Sequence, residues 1–249
     1  MPQSVNKMLQ LKSAIQFLTI LPAGKTSEFD ANKIIPYFPI VGLILGILIS
    51  AFDMLAFYLW PVQLISLLDV MLLAILTGAL HIDGLGDTAD GVLGHRPREK
   101  ALLIMKDSRM GAMGLVAIIF ALAVKWNAIA ALNESRNYIL ILVPIYSRAT
   151  MIFGIKFLPY GRPDGGTASD FFKEAVKPYY FITLIIPLAF SYFLGAKGVI
   201  LLYGFLFITS TILYYYKQRM GCITGDMLGA MVEITESFLF LLVAAEGYL

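Results

Sequence analysis

Residues 34–60, IIPYFPIVGLILGILISAFDMLAFYLW, contain a single charged residue, Asp53. A hydrocarbon layer of about 30 Å is crossed by about 20 helical residues, so this stretch is long enough to span a membrane. Because backbone groups in lipid must bond within their own segment, a continuous apolar run predicts a helix rather than a barrel strand. Further stretches of this kind lie at 63–80, 111–132, 138–158, 179–195, 198–216 and 226–245. The sequence therefore predicts an all-α fold, a polytopic membrane helix bundle of about seven transmembrane helices.

The composition agrees with a membrane class. Of the 249 residues, 59% are hydrophobic and 14% are charged, whereas an ordinary soluble domain has about 25% charged residues. We expect a single integral membrane domain over residues 1–249, with an N-terminal cytoplasmic or interfacial segment at 1–33 and the transmembrane bundle at 34–249. The single cysteine, Cys222, excludes an internal disulfide. No basic cluster of the kind that binds nucleic acid is present.

The loop cations are distributed unevenly between the two ends of the predicted spans. With the N-terminus inside, all but two of the Lys and Arg residues outside the spans fall on one side, and the exceptions are Arg136 and Lys197. The positive-inside rule predicts that the first side is cytoplasmic, in the cell or inner membrane. Two long loops, 81–110 and 159–178, lie on this side. Loops of such length are usually functional, so we place the active site there.

The first long loop begins with HIDGLGDTADG and contains Asp83, Asp87 and Asp90. The i, i+4, i+7 spacing places the three carboxylates on one helical stripe about 60° wide. Like charges at this spacing repel one another, so a compensating cation is expected. Mg²⁺ prefers oxygen ligands and binds through a few carboxylates together with substrate phosphates. We therefore predict that the three aspartates bind Mg²⁺ and are catalytic, the alternative being a solvated acidic loop.

Charged residues continue downstream with Lys106, Asp107 and Arg109. Cations beside a metal site suit a polyphosphate, because phosphoryl transfer requires the developing negative charge to be neutralised. We predict catalytic roles for all three residues. The general base stays open between Asp107 and a member of the aspartate triad.

Ionisable residues also occur inside the predicted spans. Arg148 lies midway through its span, where a charge costs about 2.5 to 3.5 kcal/mol even on lenient scales, so we expect an anionic partner. Lys125 lies nearer the outer end and either has a functional role or extends its ammonium to that interface. Asp226, Glu233 and Glu236 share one helix face with small residues between them, so these acids are expected to approach the aspartate triad. The predicted substrate-binding residues are His81, Lys125, Arg148, Asp226, Glu233 and Glu236.

Five separated blocks resemble the cobalamin synthase family, the adenosylcobinamide-GDP ribazoletransferases, over nearly the whole chain. They are YFPIVGLILG from residue 37, HIDGLGDTADG from 81, MKDSRMGAMG from 105, PIYSRAT from 144 and GCITGDMLGAMVEITE from 221. Their order and spacing fit the family as well. Some relatives have an acid directly before the first aspartate of the triad, whereas this chain has Ile82, so that additional ligand is absent.

The resemblance implies an enzyme that joins α-ribazole, or its 5′-phosphate, to adenosylcobinamide-GDP and releases GMP, in the last stage of cobalamin biosynthesis. It implies Mg²⁺ as cofactor, the two substrates and the lipid bilayer as partners, and attack by the ribazole 5′-oxygen on the phosphorus of the cobinamide side. The alternatives are another membrane phosphotransferase, of the CDP-alcohol or prenyl type, and an ion-coupled secondary transporter. Motif spacing argues against the first of these. Self-association, the number of metals and the entry route of the corrinoid stay open.

Overall fold

The computed structural model describes residues 3–24, 29–162 and 165–245. Within these ranges the chain is helical, with one isolated bridge and no longer strand. The all-α prediction is therefore confirmed, while the outermost residues of the predicted domain, 1–2 and 246–249, lie outside the described ranges. The α-helices are α1 (Gln3–Leu18), α2 (Ala31–Ile34), α3 (Phe38–Ala56), α4 (Val62–Leu76), α5 (Leu80–Val92), α6 (Arg98–Ile104), α7 (Ala112–Ala130), α8 (Arg136–Phe157), α9 (Ile185–Phe193), α10 (Ala196–Arg219) and α11 (Gly225–Ala245).

Five continuous helical segments of the described chain are long and apolar enough to cross a membrane. They are Ala31–Ala56, which joins α2 and α3 through a 3-10 turn, and the helices α7, α8, α10 and α11. A sixth crossing is formed only if α4 and α5, bent by 89° relative to each other, count as one span. The remaining predicted span corresponds to the shorter apolar segment Pro178–Phe193. The chain is therefore a multi-pass membrane protein, and two of the seven predicted spans are shorter or broken.

The bend between α4 and α5 positions the acidic segment. Gly78 and Ala79 both have left-handed backbone conformations, with φ of +58° and +56°, which an α-helix cannot continue. The chain then starts a new helix of 13 residues, α5, which is too short to cross a bilayer alone. The expected long loop at 81–110 is thus wrong in detail, because it contains α5 and α6.

Helix α5 forms although its sequence contains three glycines, which are poor helix formers. Two of them allow neighbouring segments to approach closely. A Cβ atom at Gly84 would lie 2.7 Å from the carbonyl oxygen of Asp226, and one at Gly91 would lie 2.7 Å from Cγ of Met105. Tertiary packing therefore stabilises a helix that its own residues favour weakly.

Helices α8 and α11 form the centre of the bundle. Helix α8 packs backbone to backbone against α3, because a Cβ atom at Gly42 would lie 2.8 Å from the Cα of Ile145, and one at Gly46 would lie 2.6 Å from the Cα of Ile141. Small residues permit such close approach between helices in lipid, where dispersion contacts drive association. Helix α11 contacts α5, α7, α8 and α10, so the acidic segment is attached directly to the core.

The N-terminal helix α1 packs on the same end of the bundle as α5. Leu18 is fully buried, and the ring of Phe17 contacts those of Phe38 and Phe171, with centroid distances of 6.4 and 4.9 Å. These aromatic contacts connect α1 with α3 and with the 3-10 helix Ser169–Phe172. The segment that we expected to lie at the interface is therefore held against the protein.

The opposite end of the bundle has its own ionic cluster. Arg136, at the start of α8, donates from Nε to Asp53 Oδ1 at 2.7 Å and from Nη2 to Asp69 Oδ2 at 2.9 Å. It also donates to the Ser66 hydroxyl at 3.0 Å. This cation, expected only to mark the outer side, therefore joins α3, α4 and α8 through buried carboxylates.

Candidate active site

The aspartate stripe lies along α5, as its spacing predicted. Asp83 is exposed, whereas Asp87 and Asp90 are half-buried. Asp226 begins α11 and faces this stripe, because its backbone packs against Gly84 and its side chain lines a small cavity together with Asp83. Asp83, Asp87 and Asp226 therefore lie close enough for the charges of Asp83 and Asp226 to act on Asp87.

The site contains excess negative charge. Burial, followed by the negative charges of Asp83 and Asp226, raises the pKa of Asp87 to about 6 from 3.8. The guanidinium of Arg162 acts in the opposite direction and lowers this pKa. An ionised Asp87 is thus unfavourable until a further positive charge is added.

Asp90 has a different environment from the other two members of the triad. Its Oδ2 accepts from the Gly111 backbone N–H at 2.7 Å and its Oδ1 accepts from that of Gly114 at 2.8 Å. These N–H groups belong to the first turn of α7, which has no partner for them within the helix. The carboxylate therefore caps α7 from a neighbouring helix, which explains the two glycines, since a Cβ atom at either would overlap Asp90.

The donor set fits Mg²⁺ only in part. No group of three or more His, Cys, Asp or Glu side chains within the described ranges converges on one ion position. Asp90 accepts hydrogen bonds from the start of α7, and Asp226 accepts one from Arg162. Both carboxylates therefore already have partners. Mg²⁺ nevertheless requires only one or two carboxylates when water and substrate phosphates complete its shell. Asp83 and Asp87 would supply those carboxylates, and the roles of Asp83, Asp87 and Asp90 as ligands stay predictions.

Arg162 is the site residue that sequence reasoning missed. Its Nη2 donates to Asp226 Oδ2 and, at 3.2 Å, to the carbonyl oxygen of Met105. Arg162 was counted only among the loop cations, because it lies in a long loop without helical periodicity. The only available signal was an arginine directly followed by Pro, Asp and two glycines.

Two cavities flank α5. A narrow one of about 60 Å³ lies between α5, α8 and α11 and is lined by His81, Asp83 and Asp226 among others. A larger one of about 520 Å³ has an almost wholly apolar lining from α5, α7, α10 and α11. None of the four aspartates lines the larger cavity, which lies on the opposite face of α5. Only the narrow cavity is continuous with the acidic site.

The remaining predicted substrate-binding residues form a separate buried cluster. Lys125 Nζ donates to Glu233 Oε2 at 2.5 Å and to Glu236 Oε2 at 2.9 Å. Arg148 forms an ion pair with Glu236, which also accepts from the Ser147 hydroxyl at 3.0 Å. The expected anionic partner of Arg148 is therefore confirmed, and the alternative that Lys125 extends to the interface is wrong, since its side chain is 2% exposed.

This cluster is closed to water-soluble ligands. Glu233 and Glu236 lie about 10 and 15 Å from Asp226 along α11, at 1.5 Å per residue, so they do not approach the aspartate stripe as expected. Lys125, Arg148 and both glutamates are buried and bond to one another. The structure therefore corrects their predicted contact with substrate to a contact within the core.

His81 is also buried, at 1% exposure, so only its edge on the narrow cavity adjoins the site. Its position in the first turn of α5 lies against α11, because a Cβ atom at Gly229 would come within 3.2 Å of the His81 Cα. His81 lines the narrow cavity together with Asp83 and Asp226, and its role in substrate binding stays a prediction.

The predicted catalytic residues after α6 are exposed. Lys106 lies at the surface, and Arg109 donates to both carboxylate oxygens of Asp107, at 3.0 Å from Nε to Oδ1 and 2.6 Å from Nη2 to Oδ2. Hydrogen bonds from Arg109 lower the pKa of Asp107 to about 2. A carboxylate that is so weakly basic is a poor general base, which leaves the aspartate stripe as the better source of that group.

The fold and the site define a multi-pass membrane protein with an acidic, partly exposed site at one end of its bundle. A family model described as cobalamin-5-phosphate synthase matches residues 10–245. Adenosylcobinamide-GDP ribazoletransferases from Thermoanaerobacter sp. (strain X514) and Chlorobaculum tepidum are 32% and 34% identical to the chain, covering 93% and 94% of it and 95% and 94% of their own lengths. One from Clostridium novyi is 34% identical over 96% of this chain and 98% of its own.

The chain therefore belongs to the cobalamin-5-phosphate synthase family, a family of transferases in cobalamin biosynthesis. The predicted resemblance is confirmed. No solved structure matches the chain.

Proposed function

We propose that the protein transfers the cobinamide phosphate of adenosylcobinamide-GDP to α-ribazole, or to its 5′-phosphate, with release of GMP. The supporting observation is the family membership over residues 10–245 together with the partly exposed carboxylates of Asp83 and Asp87 at one end of the bundle. We propose Mg²⁺ as the cofactor, because the site has excess negative charge and oxygen ligands. Another membrane phosphotransferase and an ion-coupled transporter have no comparable support.

The expected attack by the ribazole 5′-oxygen requires correction. The family description names cobalamin-5-phosphate as its product, so the 5′-oxygen of that substrate already carries a phosphate. The nucleophile is then a free ribose hydroxyl. Its oxygen bonds to the phosphorus on the cobinamide side, and the bond between that phosphorus and the bridging anhydride oxygen breaks. GMP leaves with the bridging oxygen and its electron pair, and the hydroxyl proton passes to a base. This assignment accommodates both ribazole forms.

The aspartates of the site have different proposed roles in this reaction. Asp83 and Asp87 would hold Mg²⁺, which when bound supplies positive charge against the diphosphate oxygens. Asp90 fixes α5 against the start of α7 and so keeps the stripe in place. The hydroxyl proton passes to a carboxylate oxygen of the aspartate stripe that does not hold the cation.

We propose that the protein lies in the cell (inner) membrane with its N-terminus and acidic site in the cytoplasm. Most loop cations lie at the end of the bundle that carries α5, whereas Arg136 and Lys197 lie at the other end, and cytoplasmic loops are enriched in Lys and Arg. Nucleotides such as the GMP product are available on that side. Self-association stays an open question.

The decisive experiment is a reconstitution in proteoliposomes. The purified chain is supplied with adenosylcobinamide-GDP and α-ribazole 5′-phosphate, with Mg²⁺ or with EDTA, and the corrinoid product and GMP are quantified together. We expect equimolar products with Mg²⁺ and none with EDTA. Accumulation of labelled substrate inside the vesicles without GMP release would instead establish a transporter, and equal rates in EDTA would remove the metal.

A further inference from the structure

The backbone that carries Arg162 is fixed at the edge of the acidic site. Ile223 donates its N–H to the Pro159 carbonyl oxygen at 2.9 Å and accepts from the Gly161 N–H at 2.9 Å, which forms an isolated parallel bridge. Gly161 lies directly over Cys222, because a Cβ atom there would come within 3.2 Å of the Cys222 Cβ. The backbone directly before Arg162 is therefore held in place beside the start of α11.

The guanidinium of Arg162 has unused hydrogen-bonding capacity. Both of its hydrogen bonds, to Asp226 and to the Met105 carbonyl oxygen, come from Nη2. Its Nε is buried and has no hydrogen-bond partner in the described part of the chain. A guanidinium carries five N–H donors in a planar fork that matches phosphate oxygens in pairs. The side chain is thus only partly satisfied, although it is just 12% exposed.

The other arginines expected to bind phosphate are engaged elsewhere. Arg148 is fully buried and pairs with Glu236 in the core. Its Nε and Nη2 also have no hydrogen-bond partner in the described part of the chain, but its charge does not act on Asp87. Arg109 is 86% exposed and forms its bidentate contact with Asp107. Arg162 is the arginine that contacts an acid of the site and that acts on Asp87 electrostatically.

We infer that Arg162 is the residue that binds the diphosphate of the nucleotide substrate. In the absence of a divalent cation, Asp226 pairs with the Arg162 guanidinium, and a cation bound at Asp226 would release it. The inference rests on the proposed function for the identity of the ligand as a nucleoside diphosphate ester. With Asp226 engaged by a divalent cation, Arg162 would lose its carboxylate partner, and its planar fork would be free to bind phosphate oxygens, to which bidentate arginine contacts are strong. Arg162 and the divalent cation therefore compete for Asp226 but act together on the substrate.

This exchange predicts effects of opposite sign for one substitution. The variant Arg162→Gln removes the competitor of the cation, so we expect its affinity for Mn²⁺ alone, followed by electron paramagnetic resonance, to rise severalfold. Its affinity for inorganic pyrophosphate in saturating Mn²⁺, measured by calorimetry, should fall at least about tenfold, the effect of losing a hydrogen bond to a charged group. Arg162→Lys, which keeps the charge and loses the fork, should show an intermediate loss.

Controls separate this result from misfolding and from failure of the proposed reaction. Lys173→Gln, at an exposed cation that pairs with Asp170 outside the acidic site, should bind both probes as the wild type does. Unchanged pyrophosphate affinity in Arg162→Gln, or a parallel loss of Mn²⁺ and pyrophosphate affinity in both Arg162 variants, would overturn the inference. Because neither probe contains a corrinoid, opposite shifts in a protein that makes no cobalamin product would support Arg162 and reject the proposed substrate instead.

Discussion

The two charged regions of this protein contain similar residues in opposite balance. In the acidic site, the Arg162 guanidinium contacts Asp226 and acts on Asp87, while Asp83 is exposed, so three carboxylates share one cation among the described residues. In the buried cluster, the cations Lys125 and Arg148 match two glutamates at hydrogen-bonding distance, and the side chains are at most 4% exposed. The acidic site therefore has uncompensated negative charge that a ligand can neutralise, whereas the charges of the buried cluster balance one another.

This difference determines what each region does for the protein. A buried pair contributes to the fold only while both partners are present, because removing one leaves a charge in a medium that solvates it poorly. An uncompensated acidic site, by contrast, costs stability and binds cations in return. Neutralising one carboxylate should therefore have opposite effects on stability in the two regions.

The largest effect is expected for Asp87→Asn. Turnover in proteoliposomes should be abolished, a loss of at least about 10³-fold, the upper range for removal of one electrostatic group from an active site. The protein should remain inserted and its melting temperature at pH 7.5 should not fall. The pKa of Asp87 is raised to about 6 from 3.8, so its ionised form opposes folding at this pH.

The pH dependence of stability tests whether ionised Asp87 opposes folding. The penalty of the ionised carboxylate develops as the pH rises from 3.8 to about 6, so the stability difference between variant and wild type should vanish below about pH 4. Asp170→Asn, in an exposed pair with Lys173, is the matched control and should retain activity. Wild-type turnover by Asp87→Asn would remove the assignment of the site.

The next largest effect is expected for Glu236→Gln in the buried cluster. Glu236 contacts both Arg148 and Lys125, so its neutralisation leaves two buried cations with one carboxylate. We expect a loss of about 3–5 kcal/mol in the free energy of unfolding, the usual cost of breaking a buried pair. Denaturation of the purified protein in detergent measures it.

The exposed pair of Glu174 and Lys177 provides the comparison for Glu236→Gln. Glu174→Gln should cost at most about 1 kcal/mol, as surface pairs do. Lys125→Met combined with Glu233→Met removes one charge of each sign and should cost less than Glu236→Gln. Equal losses for Glu236→Gln and Glu174→Gln would show that the buried cluster does not stabilise the bundle.

A smaller effect is expected where α5 meets α7. A Cβ atom in Gly114→Ala would overlap the Asp90 carboxylate and lie 2.8 Å from the Gly86 carbonyl oxygen, so the two helices must separate. We expect a destabilisation of about 1–3 kcal/mol, as for overpacking, with a matching loss of activity. Gly94→Ala, where the nearest atom is Nε of the flexible Arg96 at 3.3 Å, should be tolerated. Equal behaviour of the two variants would contradict the capping role of Asp90.

The sequence predicted the helices well and their ends less well. Apolar runs in lipid must be helical, so the spans near α3, α7, α8, α10 and α11 followed from hydropathy alone. The break after α4 did not, because the apolar run continues through Leu80 while the bend depends on left-handed conformations at Gly78 and Ala79. A left-handed alanine is sustained by tertiary contacts, which a hydropathy pattern does not contain.

The same division holds for the site. The spacing of Asp83 and Asp87 predicted their common face, since neighbours on a helix are fixed by its geometry. The partner of Arg148 was expected to be an acid, yet its identity as Glu236 depends on how α8 and α11 cross. Arg162 was missed because a loop residue far along the chain reaches Asp226 only through the bridge at Ile223.

The smallest effect is expected for Asp107→Asn. Its pKa of about 2 keeps this exposed carboxylate ionised and weakly basic at neutral pH, in a pair with Arg109 of the kind that contributes little at a surface. Turnover should change by less than about threefold, whereas loss of a general base costs about 10²–10⁴-fold. The pH–rate profile between about pH 6 and pH 8 should keep its shape for the same reason. A hundredfold loss together with a missing limb of that profile would make Asp107 the proton acceptor and move the reacting centre away from the aspartate stripe.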